Sequence, residues 1–243
     1  MSSSETPAAR RRPTHRKGRA TLTRESVGRA ALDLIGRRGP AELTMRSLAA
    51  ELGVSPRALY NYVEDRRDLI GLAAELFEQD WHPPKLDPAP DRWRPSLRAL
   101  CDELRAHYRR HPGMTTLALT EDVTMARHPT MLRNVDAIVG FLTALGLPPA
   151  DAYRACVETI RLVVGFVEFH DALHDRPPAH LAPGELTETP PPWLRPEPGT
   201  DLPHLTRLAD LPPTSQDEQF TFAVDLLVDG LAARVRPGGR ARG

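Results

Sequence analysis

Between Ser55 and Tyr62 the chain gathers side chains that suit the edges of nucleic-acid bases: Ser55, Arg57, Ala58, Asn61 and Tyr62. Arginine pairs with O6 and N7 of guanine, asparagine with N6 and N7 of adenine, and an alanine methyl packs against the methyl of thymine. Leu59 within the set and Val63 just after it stand four residues apart, so a helix here hides one apolar side and offers the polar one. Other chemistry is thinly represented. The sequence holds no Gly-rich phosphate loop and no nucleophile-elbow pattern. His107 and His111 stand in a stretch without a paired carboxylate, and a helical enzyme would rest on the bare residue types of His170 and Asp171. His170 and His174 share a helix face as a metal pair would, but Asp171 and Asp175 lie off that face and no third ligand accompanies them. The expectation is no metal and no other cofactor.

Elements on both sides must hold the 55–62 face outward. Val27, Ala30, Ala31, Leu34 and Ile35 recur at helical spacing after Thr23, and Gly39 can end that first helix. Thr44 can cap a second, short helix carrying Leu48, Ala49 and Leu52, closed by Gly53. Ser55 followed by Pro56 starts a third, with a capping hydroxyl and a proline at its first position. Two short helices joined through Gly53 and Val54 have helix-turn-helix spacing. Asp65 can cap a fourth helix bearing Leu69, Leu72, Ala73, Leu76 and Phe77, and prolines 83, 84, 88 and 90 then break the chain.

Further helices are expected at 94–110, 114–120, 129–145, 149–174 and 215–235. Residues 175–215 are Pro-rich and read as a mobile loop with a short helix near 202–211. No strand-like alternation competes. The fold class is therefore all-α: an N-terminal three-helix helix-turn-helix domain over 21–68 and a larger C-terminal helical domain over 69–243.

The formal net charge of zero hides an asymmetry, since residues 1–67 hold 14 basic and 7 acidic residues while 68–243 hold 18 and 25. A basic front suits a polyanionic partner. Residues 1–20 carry Arg10, Arg11, Arg12, Arg16, Lys17 and Arg19 with almost nothing apolar, the composition of a disordered arm that lies on phosphates. Cys101 and Cys156 are the only cysteines, which excludes a disulfide framework and suits a reducing compartment. No apolar run approaches the ~20 residues needed to span a bilayer, and no secretory signal is visible. The expectation is a cytoplasmic protein without membrane contact.

The segment LTMRSLAAELGVSPRALYNYVEDRRDLI, residues 43–70, resembles the DNA-binding signature of the TetR family. The match runs in order through Thr44, the Ala49–Val54 run, Leu59 with Tyr60, Val63 and the basic start of the fourth helix, and the helix from Thr23 extends it. The resemblance implies that Thr44 or Met45 lies against the DNA backbone and that Arg46 contacts a base. It also implies phosphate contacts for Tyr60 and Arg66. Ser55, Pro56, Arg57, Asn61 and Tyr62 would face the groove, with Pro56 and Arg57 at positions whose variation selects the operator.

Beyond residue 70 the likeness lies in arrangement, and it resembles tetracycline-repressor-like members. It implies a four-helix dimer interface from 149–174, 215–235 and the same helices of a second copy, through the stripe Phe220, Val224, Leu227 and Leu231. A dimer also follows from size, because one short reading unit contacts too few base pairs for useful specificity. The family usually holds a small-molecule effector in its helical body. Candidate lining residues are Leu100, Leu104, His107, Tyr108, Met114, Met125, Met131, Phe141, Ile160, Val164, Phe169 and His170. The expected function is a homodimeric regulator, a repressor that a small-molecule effector releases from double-stranded operator DNA. Control by a protein partner docking on 175–215 is the alternative; an apolar cavity with a few inward polar groups favours the effector, a filled interior the partner.

Overall fold

The structure is a computed structural model that describes residues 22–123, 128–182, 184–208 and 210–235. The basic arm expected at 1–20 lies outside the described residues. Among those described there is no strand.

Local chemistry accounts for the first four helices. Helix α1, Arg24–Arg38, opens on a capping box in which Thr23 and Ser26 exchange bonds, and it closes where the Gly39 amide reaches the Ile35 carbonyl at 2.8 Å. Helix α2, Met45–Leu52, repeats the device with Thr44 and Ser47 and ends at Gly53, whose φ of 62° is left-handed. Helix α3 covers Pro56–Leu59 and α4 covers Arg66–Gln79, capped by Asp65. The Arg24 guanidinium forks onto Asp68 at 2.6 and 2.9 Å and donates to the Tyr62 carbonyl at 2.6 Å. That bond holds the Asp68 carboxyl below its usual range and staples α1 to α4. The two helices approach closely at Gly28, where a Cβ would stand 2.7 Å from Leu72 Cγ.

Helices α5 (Trp93–Arg110), α6 (Met114–Thr120), α7 (Pro129–Ala144) and α8 (Pro149–Phe166) follow, and α8 runs through a π-helical turn at Val167–Asp171 into α9, Ala172–Asp175. The helix expected at 149–174 is thus one rod with a π turn near its end. That turn carries Asp171, fully buried, which accepts both arms of the Arg105 fork at 2.7 and 2.8 Å. Arg105 also donates to Asp217 and lies 4.5 Å over Phe220, so one guanidinium ties α5, the π turn and the last helix together. Between residues 176 and 215 the described chain forms only a 3₁₀ turn at Pro192–Leu194 and α10, Pro203–Leu208; Gln219 bonds to the Thr187 and Thr214 carbonyls beside it. Helix α11, Gln216–Ala232, closes the fold from a Ser215–Glu218 capping box.

Two apolar cores result. The head core joins α1–α4 with Met114, Leu117 and Ala118 of α6, so it extends past the boundary expected at residue 68. The body core joins α5, α7, α8 and α11 around Leu97, Leu100, Leu142, Cys156 and Val228. Tyr108 packs against both. Cys101 and Cys156 are free thiols, and burial pushes them up to about 12 and about 11. No helix among the described residues is long and apolar enough to cross a membrane.

Candidate nucleic-acid interface and ligand cavity

Helices α2 and α3 present the expected reading face. Thr44, Arg46, Ser55, Pro56, Arg57, Tyr60 and Asn61 are exposed, Met45 and Tyr62 are half-buried, and Leu59 and Val63 are buried beneath them. Thr44 Oγ1 accepts the Ser47 amide at 3.0 Å and Ser55 Oγ accepts the Ala58 amide at 3.3 Å. The third helix is shorter than the spacing suggests. After Leu59 the chain tightens into a turn in which the Leu59 carbonyl accepts from both Tyr62, at 2.8 Å, and Val63, at 3.1 Å. Asn61 and Tyr62 therefore leave from a turn and not from a continuing helix face.

Arg66 differs from expectation. It is half-buried, its Nε donates to the Leu43 carbonyl at 3.4 Å, and its guanidinium is ion-paired with Glu121 just past α6. Its neighbour Arg67 donates to the carbonyl of Asp122 at 2.7 Å and to its carboxylate at 3.0 Å. In this arrangement Arg66 serves the contact between head and α6, and reaching a phosphate would require it to leave Glu121.

Where the two cores meet, the packing is incomplete. One cavity of about 230 Å³ is lined by Phe77 and Glu78 of α4, Trp81 just past it, Leu104, His107 and Tyr108 of α5, Met131, Asn134, Val135 and Ile138 of α7, and Ile160 of α8. A second of about 240 Å³ shares Phe77, Glu78, Tyr108 and Met131 with it and adds Met114, Thr115 and Ala118 of α6. Each is somewhat smaller than the roughly 300–1,000 Å³ of small-molecule sites, and the two share four wall residues. The polar groups are few and mostly engaged. Asn134 Nδ2 donates to the Trp81 carbonyl at 3.0 Å, and its Oδ1 lies 3.3 Å from His82 Nδ1. Burial, with the charges of Arg110 and His111, lowers the His107 pKa to about 4, and the ring sits 4.1 Å from Phe77. Burial raises the Tyr108 hydroxyl and the Glu78 carboxyl above their ordinary values.

Six expected lining residues meet these cavities: Leu104, His107, Tyr108, Met114, Met131 and Ile160. Others do not. Leu100, one turn before Leu104, and Phe141 are closed into the body core, where neighbours leave no space. Val164 is half-buried on α8 away from both cavities, and Phe169 points outward at 79% exposed. His170 stacks on Phe166 at 4.6 Å and bonds Gln219 at 2.8 Å, while His174 reaches Thr187 at 3.3 Å. The two histidines thus turn to separate partners; among the described residues no group of three metal-binding side chains forms. Met125 lies outside the described residues. Sequence reasoning missed Phe77, Glu78, Trp81 and Asn134, because residues near the end of α4 and on α7 become one wall only when α5 and α7 cross there.

The stripe expected at the dimer interface divides between the chain's own core and an outer groove. Phe220, Val224 and Leu231 are buried in the body core of their own chain and Leu227 is half-buried against it. Phe220 and Val224 of α11 thus pack inward with α5 and α8, while Leu227 and Leu231 also border an outer groove. The residues left outward are Phe222 at 66% and Leu226 at 61% exposed, with Tyr153 and Phe169 along α8 and the π turn. An open groove of about 570 Å³ runs beside them, lined by Ala155, Glu158, Leu226, Leu227, Gly230 and Leu231 among others.

A helix-turn-helix head on a helical body, with partly open cavities between them, defines the class, and comparison supplies the family. Residues 29–73 match the family of bacterial regulatory proteins called tetR, and residues 87–235 match the tetracyclin repressor-like C-terminal domain. The chain belongs to the TetR family. It is 29% identical over 155 residues to the HTH-type transcriptional repressor DrrR1 of Streptomyces coeruleorubidus, a match covering 64% of this chain and 56% of that repressor. It is 31% identical over 165 residues to the class D tetracycline repressor protein of Escherichia coli, covering 66% of this chain and 73% of that protein. The fold is also that of Streptomyces coelicolor ActR in complex with actinorhodin, with a TM-score of 0.67 at 22% identity over 89% of this chain and 99% of that one.

Proposed function

We propose that the chain is a cytoplasmic, homodimeric transcriptional repressor that grips double-stranded operator DNA through α2 and α3 and releases it when a small molecule fills the cavity between head and body. The observation that carries this reading is the position of that cavity. Its walls come from α4 and α6, which belong to the head core, and from α5, α7 and α8, which belong to the body. A ligand that separates those walls acts on the head directly, since Arg66 and Arg67 bind it to Glu121 and Asp122 beyond α6. Any molecule that binds one spacing of the heads better than the other shifts the protein between operator-bound and free states.

A cavity with a few inward polar groups favours a small-molecule effector over a protein partner on 175–215. The curated relatives are regulators, and the chain is read as a regulator that needs no cofactor and not as an enzyme. The second copy docks on the outward face of α8 and α11, where Phe222 and Leu226 stand exposed.

Selection of bound duplexes from a random pool tests the reading: a near-palindromic sequence should be enriched. Arg46→Ala should remove ~1–3 kcal/mol of discrimination at one base pair per half-site, and Leu226→Asp should yield a folded monomer that no longer enriches any sequence. A pool bound without sequence preference, or a Leu226→Asp protein still dimeric by light scattering, would overturn the operator or the interface assignment respectively.

A further inference from the structure

Glu78 lines both cavities. It differs from the other sheltered carboxylates of the molecule. Asp68, Asp171 and Asp175 each accept a guanidinium, and Glu168 accepts the Gly113 amide at 2.8 Å. Among the described residues the Glu78 side chain has no hydrogen-bond or ion-pair partner, and burial is the cause of its raised pKa. No lysine or arginine among the described residues lines either cavity. His107 does not substitute for one, because burial and the charges of Arg110 and His111 keep its ring neutral near pH 7.

The ionisable groups that face this space are therefore one carboxyl, one neutral imidazole and the Tyr108 hydroxyl, from α4 and α5. An anionic ligand would bring a second negative charge beside Glu78 with no cation to offset either. A cationic ligand supplies the missing partner. The aromatic rings of Phe77, Trp81 and Tyr108 on the same walls favour a positive charge as well. Trp81 adds a second unmet need, since its indole Nε1–H is buried without an acceptor.

Resting on the effector reading above, we propose that the ligand is a small organic cation: a ring-containing apolar body whose protonated amine pairs with Glu78 and whose hydrogen-bond acceptor takes the Trp81 Nε1–H. The remaining wall, Leu104, Met131, Ile138 and Ile160, offers only apolar surface to the body of the molecule.

Fluorescence titration of the DNA-free protein with 9-aminoacridine, acridine and acridine-9-carboxylate separates charge from shape, because the three share one ring system and are cationic, neutral and anionic near neutral pH. The cation should bind roughly tenfold or more tightly than the neutral ring, as a charge-assisted hydrogen bond implies. Glu78→Gln, which keeps the shape of the side chain, should abolish that preference and leave acridine affinity little changed. Trp81→Phe should weaken acridone, a neutral probe with a carbonyl acceptor, severalfold. Equal binding of all three probes, tighter binding of the carboxylate, or a charge preference that survives Glu78→Gln would overturn the cation proposal while leaving a ligand cavity in place. Failure of every probe to bind would overturn the effector reading with it.

Discussion

Head and body treat buried polarity in opposite ways. Every buried polar or charged residue among those described lies beyond residue 100: Arg105, His107, Thr130, Asn134, Thr159, Asp171 and Thr187. The buried side chains of α1–α4 are all apolar, and the head keeps its charged pairs at the surface, as Arg24 with Asp68 and Arg37 with Glu51 show. A dry, tightly packed unit moves as one piece, since interiors near crystal density transmit displacement. A unit with sheltered charges and incompletely filled seams has interactions that a ligand can exchange for its own. Under the proposed function, the division suits a reader that must keep its shape and a sensor that must change.

The sharpest test of that contrast replaces one arginine in each half. Arg105→Ala would leave fully buried Asp171 with only Arg109 Nη1, 3.8 Å away, and should cost ~3–5 kcal/mol. Arg24→Ala removes an equally well-formed fork whose arginine is 51% exposed, and should cost within ~1 kcal/mol. Urea denaturation measures both, and equal losses would break the comparison.

Acid should strike the body next. His107 has its pKa lowered from 6.5 to about 4, so between those values the unfolded chain binds a proton that the folded chain refuses. Stability therefore rises with pH across that window and is lost on acidification. His107→Gln should remove up to ~3 kcal/mol of that fall. His111, also lowered, acts in the same sense, whereas Glu78 and Glu168, both raised by burial, oppose it. A variant that loses stability on acidification as steeply as the parent would place the sensitivity elsewhere.

Two glycines probe packing slack. A Cβ at Gly28 would stand 2.6 Å from Leu76 Cδ1 and 2.7 Å from Leu72 Cγ inside the head core, so Gly28→Ala should destabilise by ~1–3 kcal/mol. Gly140 of α7 has nothing within 4 Å of such an atom, and Gly140→Ala should stabilise by ~0.5–1 kcal/mol through helix propensity alone. Thermal melts of the two variants should move in opposite directions.

The reading head was legible from the chain because its rules are local. Thr23, Thr44, Ser55 and Asp65 each accept a backbone amide three residues on, and a capping side chain needs only its own turn to find that partner. Gly53 reverses the chain for the same kind of reason. The body helices were legible as helices but not in their orientation. Phe220, Val224 and Leu231 read as an interface stripe because periodicity marks a face as apolar without saying what covers it.

What the residues alone determined, then, is where helices begin and end, which short pair forms the turn, and which side chains that pair exposes. Tertiary structure decided the rest. It turned the α11 stripe onto α5 and α8 and left Phe222 and Leu226 outward. It drew Arg66 onto Glu121, 55 positions along the chain, and made walls of Glu78 and Trp81 by bringing α5 and α7 across the end of α4. Such partners are distant in sequence, and the void between them belongs to no single helix, so neither caps nor periodicity could show where it lies.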